Sequence, residues 1–250
     1  MSTTFDAVGP SSSGTDTIVA AGTPTATLSW PHTTGSGADR WMRVDVVVGE
    51  QPDDASVTVD SVTYNDVAAT FVARRHAGDQ AHGFIETWEL VAPASGTHDV
   101  MISVTLPTSP PPTKDVTLIA GSRSYTGVDQ TTPYRNVTTA AGGGTLASVT
   151  VASAVGNIAS DAVTAGNTIG ASNHTSRWLD NVNFETAAGN GAAADADGAS
   201  SITLTRVVAD DWWASIGLDI VAATGSGTVG RLVGGTLCGG VLVGGLLTGF

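Results

Sequence analysis

The sequence predicts an all-β protein: an antiparallel, jelly-roll-like β-sandwich followed by an apolar C-terminal tail rich in Gly and Leu. Two observations predict the sandwich. Short runs alternate apolar and polar residues with a period of two, and Gly, Ser, Thr and Pro stand between the runs. No segment shows an apolar stripe of helical period with caps at its ends. Many short strands joined by turns are therefore expected.

The alternation is clearest in the first half of the chain. Residues 41–48 read Trp-Met-Arg-Val-Asp-Val-Val-Val, so neighbouring side chains would point to opposite faces of a sheet. Further strands are predicted over 56–64, 67–73, 83–91, 98–106, 116–121, 146–152, 201–208 and 212–221. The Gly/Ala-rich stretches 138–144 and 187–199 are predicted to be poor in strands.

One sandwich domain is expected over residues 1–222. The alternative is a split near 108–113, where Ser109-Pro-Pro-Pro-Thr113 resembles a linker between two halves of immunoglobulin size. A triproline is equally suited to a loop that joins two sheets. The second half alone would close a poor core, which favours the single jelly-roll-like domain.

The charge of the chain excludes some partners. It has 23 acidic and 10 basic residues, a net charge of −13 and one lysine, Lys114. A nucleic-acid partner is excluded because binding to phosphates needs clustered cations, and an anionic membrane is disfavoured for the same reason. The composition indicates either adaptation to high salt or a coding bias that lowers lysine.

Residues 223–250 form a tail with an internal repeat. From Arg231, four pentads each place leucine second. These leucines are Leu232, Leu237, Leu242 and Leu247. The favoured interpretation is oligomerisation, in which identical tails meet at a symmetry axis and glycine allows close backbone approach. A membrane helix, a β-helix-like coil and a flexible tail that docks into another protein are the alternatives.

The sequence contains no pattern typical of a catalytic site, and we expect no enzyme. Cys238 is the only cysteine, and the five histidines are widely spread. Asp195-Ala-Asp197-Gly198 is the best metal-site candidate, because alternating carboxylates before glycine suit a calcium ion. Asp210-Asp211 would contribute from the following loop. The alternative is a solvated acidic turn, and no other cofactor is expected.

The tryptophans divide into core and surface candidates. Trp88, which lies mid-strand among apolar residues, is predicted to be in the core. Trp30 and the Trp212-Trp213 pair are predicted near strand edges. Adjacent residues on a strand face opposite ways, so one tryptophan of the pair should point outwards. It would fill a subunit interface or, alternatively, stack on a sugar.

Five phrases of the sequence resemble a β-sandwich family common among virion proteins of tailed bacterial and archaeal viruses. They lie at 29–41 (Ser-Trp-Pro-His-Thr-Thr-Gly-Ser-Gly-Ala-Asp-Arg-Trp), 59–67, 86–98, 124–133 and 213–219. The resemblance spans about residues 25–222 and leaves the tail outside. It implies a structural or adhesive role and carries no catalytic residue over. With the lysine-poor, acidic composition, it suggests a virus of a halophilic archaeal host.

These observations together predict a non-enzymatic virion structural protein on the virion surface. It would be a capsid turret, a decoration protein or a tail-appendage subunit that forms homo-oligomers and contacts other virion proteins. The alternative is a carbohydrate- or receptor-binding adhesive module, in which an outward tryptophan and a calcium loop bind a host-surface glycan. A glycan hydrolase on a sandwich scaffold is the third hypothesis.

Overall fold

A computed structural model of the chain describes residues 2–20, 22–49, 57–78, 83–106, 115–182 and 189–224. Within these ranges the protein is all-β, with sixteen strands and no helix. Every strand pairing there is antiparallel. The predicted all-β, antiparallel class is therefore confirmed. No helix in these ranges is long and apolar enough to cross a membrane.

The strands in chain order are β1 (Thr4–Gly9), β2 (Thr15–Val19), β3 (Thr25–Thr34), β4 (Trp41–Gly49), β5 (Thr58–Tyr64), β6 (Val67–Ala68), β7 (Thr70–His76), β8 (Phe84–Val91), β9 (Gly96–Thr105), β10 (Val116–Thr126), β11 (Tyr134–Val151), β12 (Ile158–Ala165), β13 (Ile169–Ser172), β14 (Thr175–Asn181), β15 (Asn190–Asp197) and β16 (Ile202–Ile220).

The strands form three sheets, which we name by their position in the stack. The front sheet has the order β3-β9-β5-β6. The central sheet has the order β1-β10-β4-β8-β7, and β2 pairs with the same edge of β10 as β1 does. The back sheet has the order β11-β16-β12-β15-β14, and β13 pairs with β16. The first ten strands thus build the front and central sheets, and the last six build the back sheet.

The central sheet is covered on both faces. Its Val44 and Leu118 pack with Trp30 in the core shared with the front sheet. Its Val47 packs with Trp178 in the core shared with the back sheet. As a result, all nine residues of β4 are buried, including the polar ones. The polar face of this strand contacts the back sheet instead of solvent.

Trp178 fills the centre of the core between the central and back sheets. It is fully buried, and glycines make room for its indole ring. A Cβ atom on Gly121 would lie 2.6 Å from Trp178 Nε1, and one on Gly191 would lie 2.9 Å from the same ring system. Both contacts are closer than ordinary packing allows, so these two positions need residues without a side chain.

The long strands β11 and β16 bend back over the outer face of the back sheet. Their pairing shifts register between Gly144 and Leu146. Beyond this bulge, Val149 and Leu204 pack on Ala159 and Ala194, which lie in β12 and β15. Bulges of this kind bend a strand and increase its twist. The parts of β11 and β16 beyond the bulge therefore cover a face of the back sheet that would otherwise contact solvent.

The back sheet differs from the sequence prediction. The stretch 138–144 lies inside β11, and 190–197 within the second strand-poor stretch forms β15. Segments 201–208 and 212–221 fall on one strand, β16, and β12, β13 and β14 lack predicted counterparts. Alanine and glycine have low β-propensity, but in closely stacked layers small side chains fit, and tertiary packing outweighs propensity.

Two predictions lie outside the described residues. The alternative domain split near 108–113 falls between β9 and β10 in a segment that the structure does not describe. The pentad repeats, with all four leucines, fall in 225–250. Both therefore stay predictions.

Candidate functional site

The structure places both predicted metal ligands on β15. Asp195 is buried and Asp197 is exposed, and both lie in a strand, so the alternative of a solvated acidic turn is wrong. Residues two apart on a strand point to the same face. Asp210 and Asp211 lie within β16, not in a loop. The two predicted ligands are thus neighbours on one face, but in very different environments.

The carboxylate of Asp195 accepts hydrogen bonds from three side chains. Arg123 Nη1 donates to Oδ1 over 2.9 Å, and Arg177 Nε donates to Oδ2 over 2.7 Å. The Tyr125 hydroxyl lies 3.0 Å from each oxygen. A divalent cation here would lie beside two guanidinium groups, which repel it. In the described part of the chain, no group of three or more His, Cys, Asp or Glu side chains is arranged to hold a metal ion.

Asp195 belongs to a buried ion-pair network between the central and back sheets. Arg123 bridges two carboxylates, because its Nη2 also donates to Asp45 Oδ2 over 2.6 Å. Asp45 Oδ1 in turn accepts from Arg43 Nε over 2.7 Å. Both arginines and Asp45 are fully buried. Arg43, Asp45 and Arg123 lie on the central sheet, and Asp195 lies on the back sheet, so the network joins the two sheets.

Backbone carbonyls of the back sheet complete the network. Arg43 donates to the carbonyls of Ser160 and Ile216, each over 3.0 Å. Arg123 donates to the Asp161 carbonyl over 2.9 Å. Buried charges are costly unless they are paired and hydrogen-bonded. All three nitrogens of Arg43 and both terminal nitrogens of Arg123 meet that requirement, whereas Arg123 Nε makes no hydrogen bond within the described residues.

The pKa values of the groups in this network are set by burial and by the neighbouring charges. Burial by itself would lower the pKa of Arg123, but the negative charges of Asp45 and Asp195 outweigh it, and the net direction is upward. Burial dominates at Arg43, whose pKa is lowered although Asp45 opposes the shift. Burial also raises the pKa of the Tyr125 phenol. An arginine stays protonated at any accessible pH, so this network consists of permanent cations and their counterions.

The Arg177 side chain connects the network to the surface. Its Cζ atom lies 3.5 Å from the centroid of the Phe5 ring, and its Nε is bonded to Asp195. Phe5 in turn contacts the Tyr125 ring edge-on, with centroids 5.8 Å apart. Stacking and ion pairing together hold the guanidinium in one orientation.

Arg177 lines a surface cleft of about 540 Å³, which we call the edge cleft. It lies at the end of β15, beside the start of β14. Its lining residues are Ile158, Asn173, His174, Thr175, Arg177, Asp195, Ala196 and Asp197. The cleft therefore contains both predicted metal ligands, although Asp195 is bonded to arginine there.

A second polar cluster resembles catalytic chemistry but is sealed. His32 Nδ1 lies 2.8 Å from Ser122 Oγ, and His32 Nε2 lies 3.0 Å from Ser124 Oγ. Ser124 donates to Asp6 over 2.8 Å. A serine, a histidine and an aspartate are thus linked, but His32 and both serines are buried. A substrate cannot reach the Ser122 hydroxyl without opening the sheets, so the geometry does not provide an accessible nucleophile.

The tryptophans are distributed partly as predicted. In the 212–213 pair, Trp213 is 8% exposed and Trp212 is 43% exposed, which confirms that one of the two points outwards. Trp88 is half-buried and packs against the core between the front and central sheets, as predicted. Trp30 does not lie at a strand edge. It is buried in mid-strand, where its Nε1 donates to Ser122 Oγ over 2.9 Å.

Sequence reasoning missed the arginines of this region. Arg43 and Arg123 lie in strands that are otherwise apolar or small, and Arg177 was not singled out. A partial signal was present, since the chain has only 10 basic residues and Arg43 interrupts the predicted strand over 41–48, whereas Arg123 lies beyond the end of the predicted strand over 116–121. A charge at such a position requires a buried partner.

Comparisons with known proteins do not add an identity. No protein-family model matches the chain, and no curated protein matches it.

Proposed function

We propose that this protein is a non-enzymatic structural subunit of a virion surface that self-assembles. The subunit would be a capsid turret, a decoration protein or a tail appendage. The jelly-roll-like topology and the pentad-repeat tail are parts of this proposal. The five phrases that resemble β-sandwich virion proteins support it, and so does the acidic, lysine-poor composition, which suits a halophilic setting.

One observation carries the structural part of the proposal: the buried ionisable groups connect sheets. Arg123 bridges Asp45 and Asp195 across the interface, and all three are at most 2% exposed. Groups held in this way are typical of a rigid scaffold, because moving one of them leaves a buried charge unpaired. A general acid or base would need a proton path to a substrate, and these groups face each other.

The pentad repeats supply the proposed assembly element. Leu232, Leu237, Leu242 and Leu247 recur at a fixed spacing, with glycines between them. A repeated sequence indicates a repeated environment, and identical tails around a symmetry axis provide one. The sandwich would then be displayed outwards from the axis, next to other virion proteins.

The test is the molar mass in solution, measured by light scattering after size exclusion at low and high salt. The full chain should form a closed oligomer, and a chain that ends at Ala223 should be a monomer. Replacing the four leucines by serine should also give a monomer. A matched control with Thr236→Ser and Thr248→Ser should keep the oligomer. A monomeric full chain, or an oligomer that survives truncation, would overturn the assembly proposal.

A second candidate function is an adhesive module that binds a carbohydrate or a receptor. The outward face of Trp212 favours it, because exposed tryptophans stack on sugars as well as on protein partners. Its test is binding of host-surface glycans by the wild-type chain and by Trp212→Ala. Trp213 is the buried member of the pair, so it is not the residue to substitute.

A further inference from the structure

We infer that the edge cleft is a binding site for a neutral sugar unit, a hexopyranose at the end of a glycan, held without a metal ion. This inference goes beyond the assembly function, and it holds equally for a monomer and for an oligomer. It places recognition at the ends of β14 and β15, away from the tail.

The volume and lining of the cleft suit a small polar ligand. A volume of about 540 Å³ lies within the range of small-molecule sites, roughly 300–1,000 Å³. Ile158 and Ala196 provide an apolar part of the lining, and the other residues are polar. A pyranose ring has this dual character, with C–H groups on its faces and hydroxyl groups around its edge.

Arg177 provides donors whose position is fixed in advance. Its Nε is used by Asp195, but its two terminal nitrogens make no hydrogen bond to the described part of the chain. Phe5 supports one face of the guanidinium at 3.5 Å. Because the Arg177 side chain is already ordered, it loses little conformational entropy when it donates hydrogen bonds to a ligand.

Three further groups in the cleft have unused capacity. The Asp197 carboxylate and the Thr175 hydroxyl have no partner within the described ranges. His174 Nε2 lies 3.2 Å from the Thr203 carbonyl and donates to it, and its Nδ1 makes no hydrogen bond within the described ranges. Donors from Arg177 and acceptors from Asp197 and Thr175 match hydroxyl groups, which both donate and accept.

The backbone beside the cleft is also fixed. Asn173 Nδ2 donates to the Thr203 carbonyl over 2.9 Å, and Asn173 Oδ1 accepts from the Thr205 amide over 2.8 Å. These two bonds fasten the turn before β14 to β16. The residues around Asn173 therefore present their side chains from a rigid turn.

Charge decides between classes of ligand. Asp195 pairs with both Arg123 and Arg177, and Asp197 adds a second carboxylate, so two cations and two carboxylates balance around the cleft. An acidic sugar would add a negative charge beside Asp197, whereas a dication would lie next to a guanidinium group. A neutral polyhydroxyl ligand avoids both costs.

The experiment is saturation-transfer difference NMR on the full chain, with the methyl pyranosides of glucose, galactose and mannose as neutral probes. Glucuronate and N-acetylneuraminate serve as acidic probes. At least one neutral probe should receive saturation from the protein. Asp197→Asn should weaken its binding about tenfold, because a hydrogen bond to a charged group is lost. Arg177→Lys should weaken it as well, since lysine lacks the planar fork of donors.

Asp210→Asn is the matched control, because it removes the same charge from an exposed position on β16, outside the cleft. It should leave binding unchanged. Asp197 lies outside the ion-pair network, so its variant should keep the thermal midpoint of the wild type. The inference is overturned if the neutral probes do not bind, if only acidic probes bind, or if binding survives Asp197→Asn. The light-scattering result does not bear on any of these outcomes.

Discussion

His32 makes the stability of this protein depend on pH in a direction that the structure specifies. The side chain is 1% exposed, between the hydroxyls of Ser122 and Ser124. Ser124 donates its proton to Asp6, so it accepts from His32 Nε2. Burial lowers the pKa of His32 from 6.5 to about 4, although the charge of Asp6 opposes the shift.

The magnitude follows from that shift. Since the pKa is lower in the folded state, the unfolded chain binds the proton first, and acid favours unfolding. The contribution of neutral His32 is complete above pH 6.5 and is lost as the pH falls to about 4. At about 1.4 kcal/mol per pKa unit, the total loss is about 3 kcal/mol. Between pH 7 and pH 5 it is about 2 kcal/mol.

The assay is urea unfolding followed by tryptophan fluorescence at a series of pH values. Other groups titrate in the same range; for example, burial and the nearby Asp16 raise the pKa of Asp180 to about 6, which acts in the opposite direction. The measured quantity is therefore the difference in the free energy of unfolding between wild type and His32→Gln, in which the contributions of other groups cancel. The free-energy difference should change by about 2 kcal/mol between pH 7 and pH 5. A difference that is constant with pH would refute the reasoning.

Two further predictions concern the interface between the central and back sheets. Arg123→Met should lower the free energy of unfolding by about 3–5 kcal/mol, because two buried carboxylates each lose an ion pair. Arg75→Met removes an exposed cation from β7, and it should cost at most about 1 kcal/mol. Equal losses of unfolding free energy for the Arg123 variant and its control, measured with urea, would contradict the stabilising role of the network. Gly121→Ala should cost about 1–3 kcal/mol by forcing a Cβ against Trp178. At Gly170 a Cβ would meet its nearest neighbour at 3.5 Å, an ordinary contact, so Gly170→Ala is the control. A thermal midpoint of Gly121→Ala equal to that of Gly170→Ala would contradict the requirement for glycine at position 121.

The sequence alone predicted only part of the candidate site. Asp195 and Asp197 were singled out because alternating carboxylates stand before a glycine, and both do line one cleft. The chemistry expected there was calcium binding, whereas Asp195 is bonded to Arg123 and Arg177. Those arginines lie 72 and 18 residues away from it along the chain. The pairing with Arg123 is set by the stacking of two sheets, and the pairing with Arg177 is set by the alignment of β14 beside β15. No local pattern specifies either.

The sequence by itself determined the class of fold, because the period of two is a property of neighbouring residues and of the strand itself. It also determined the acidic charge and the pentad repeat of the tail. Only the tertiary structure decided what covers each face of a strand. The alternation at 41–48 shows that Arg43 and Asp45 share a face, but it cannot show whether that face meets water or another sheet. Here it meets the back sheet, and the same residues that could have solvated a surface join two layers of the core.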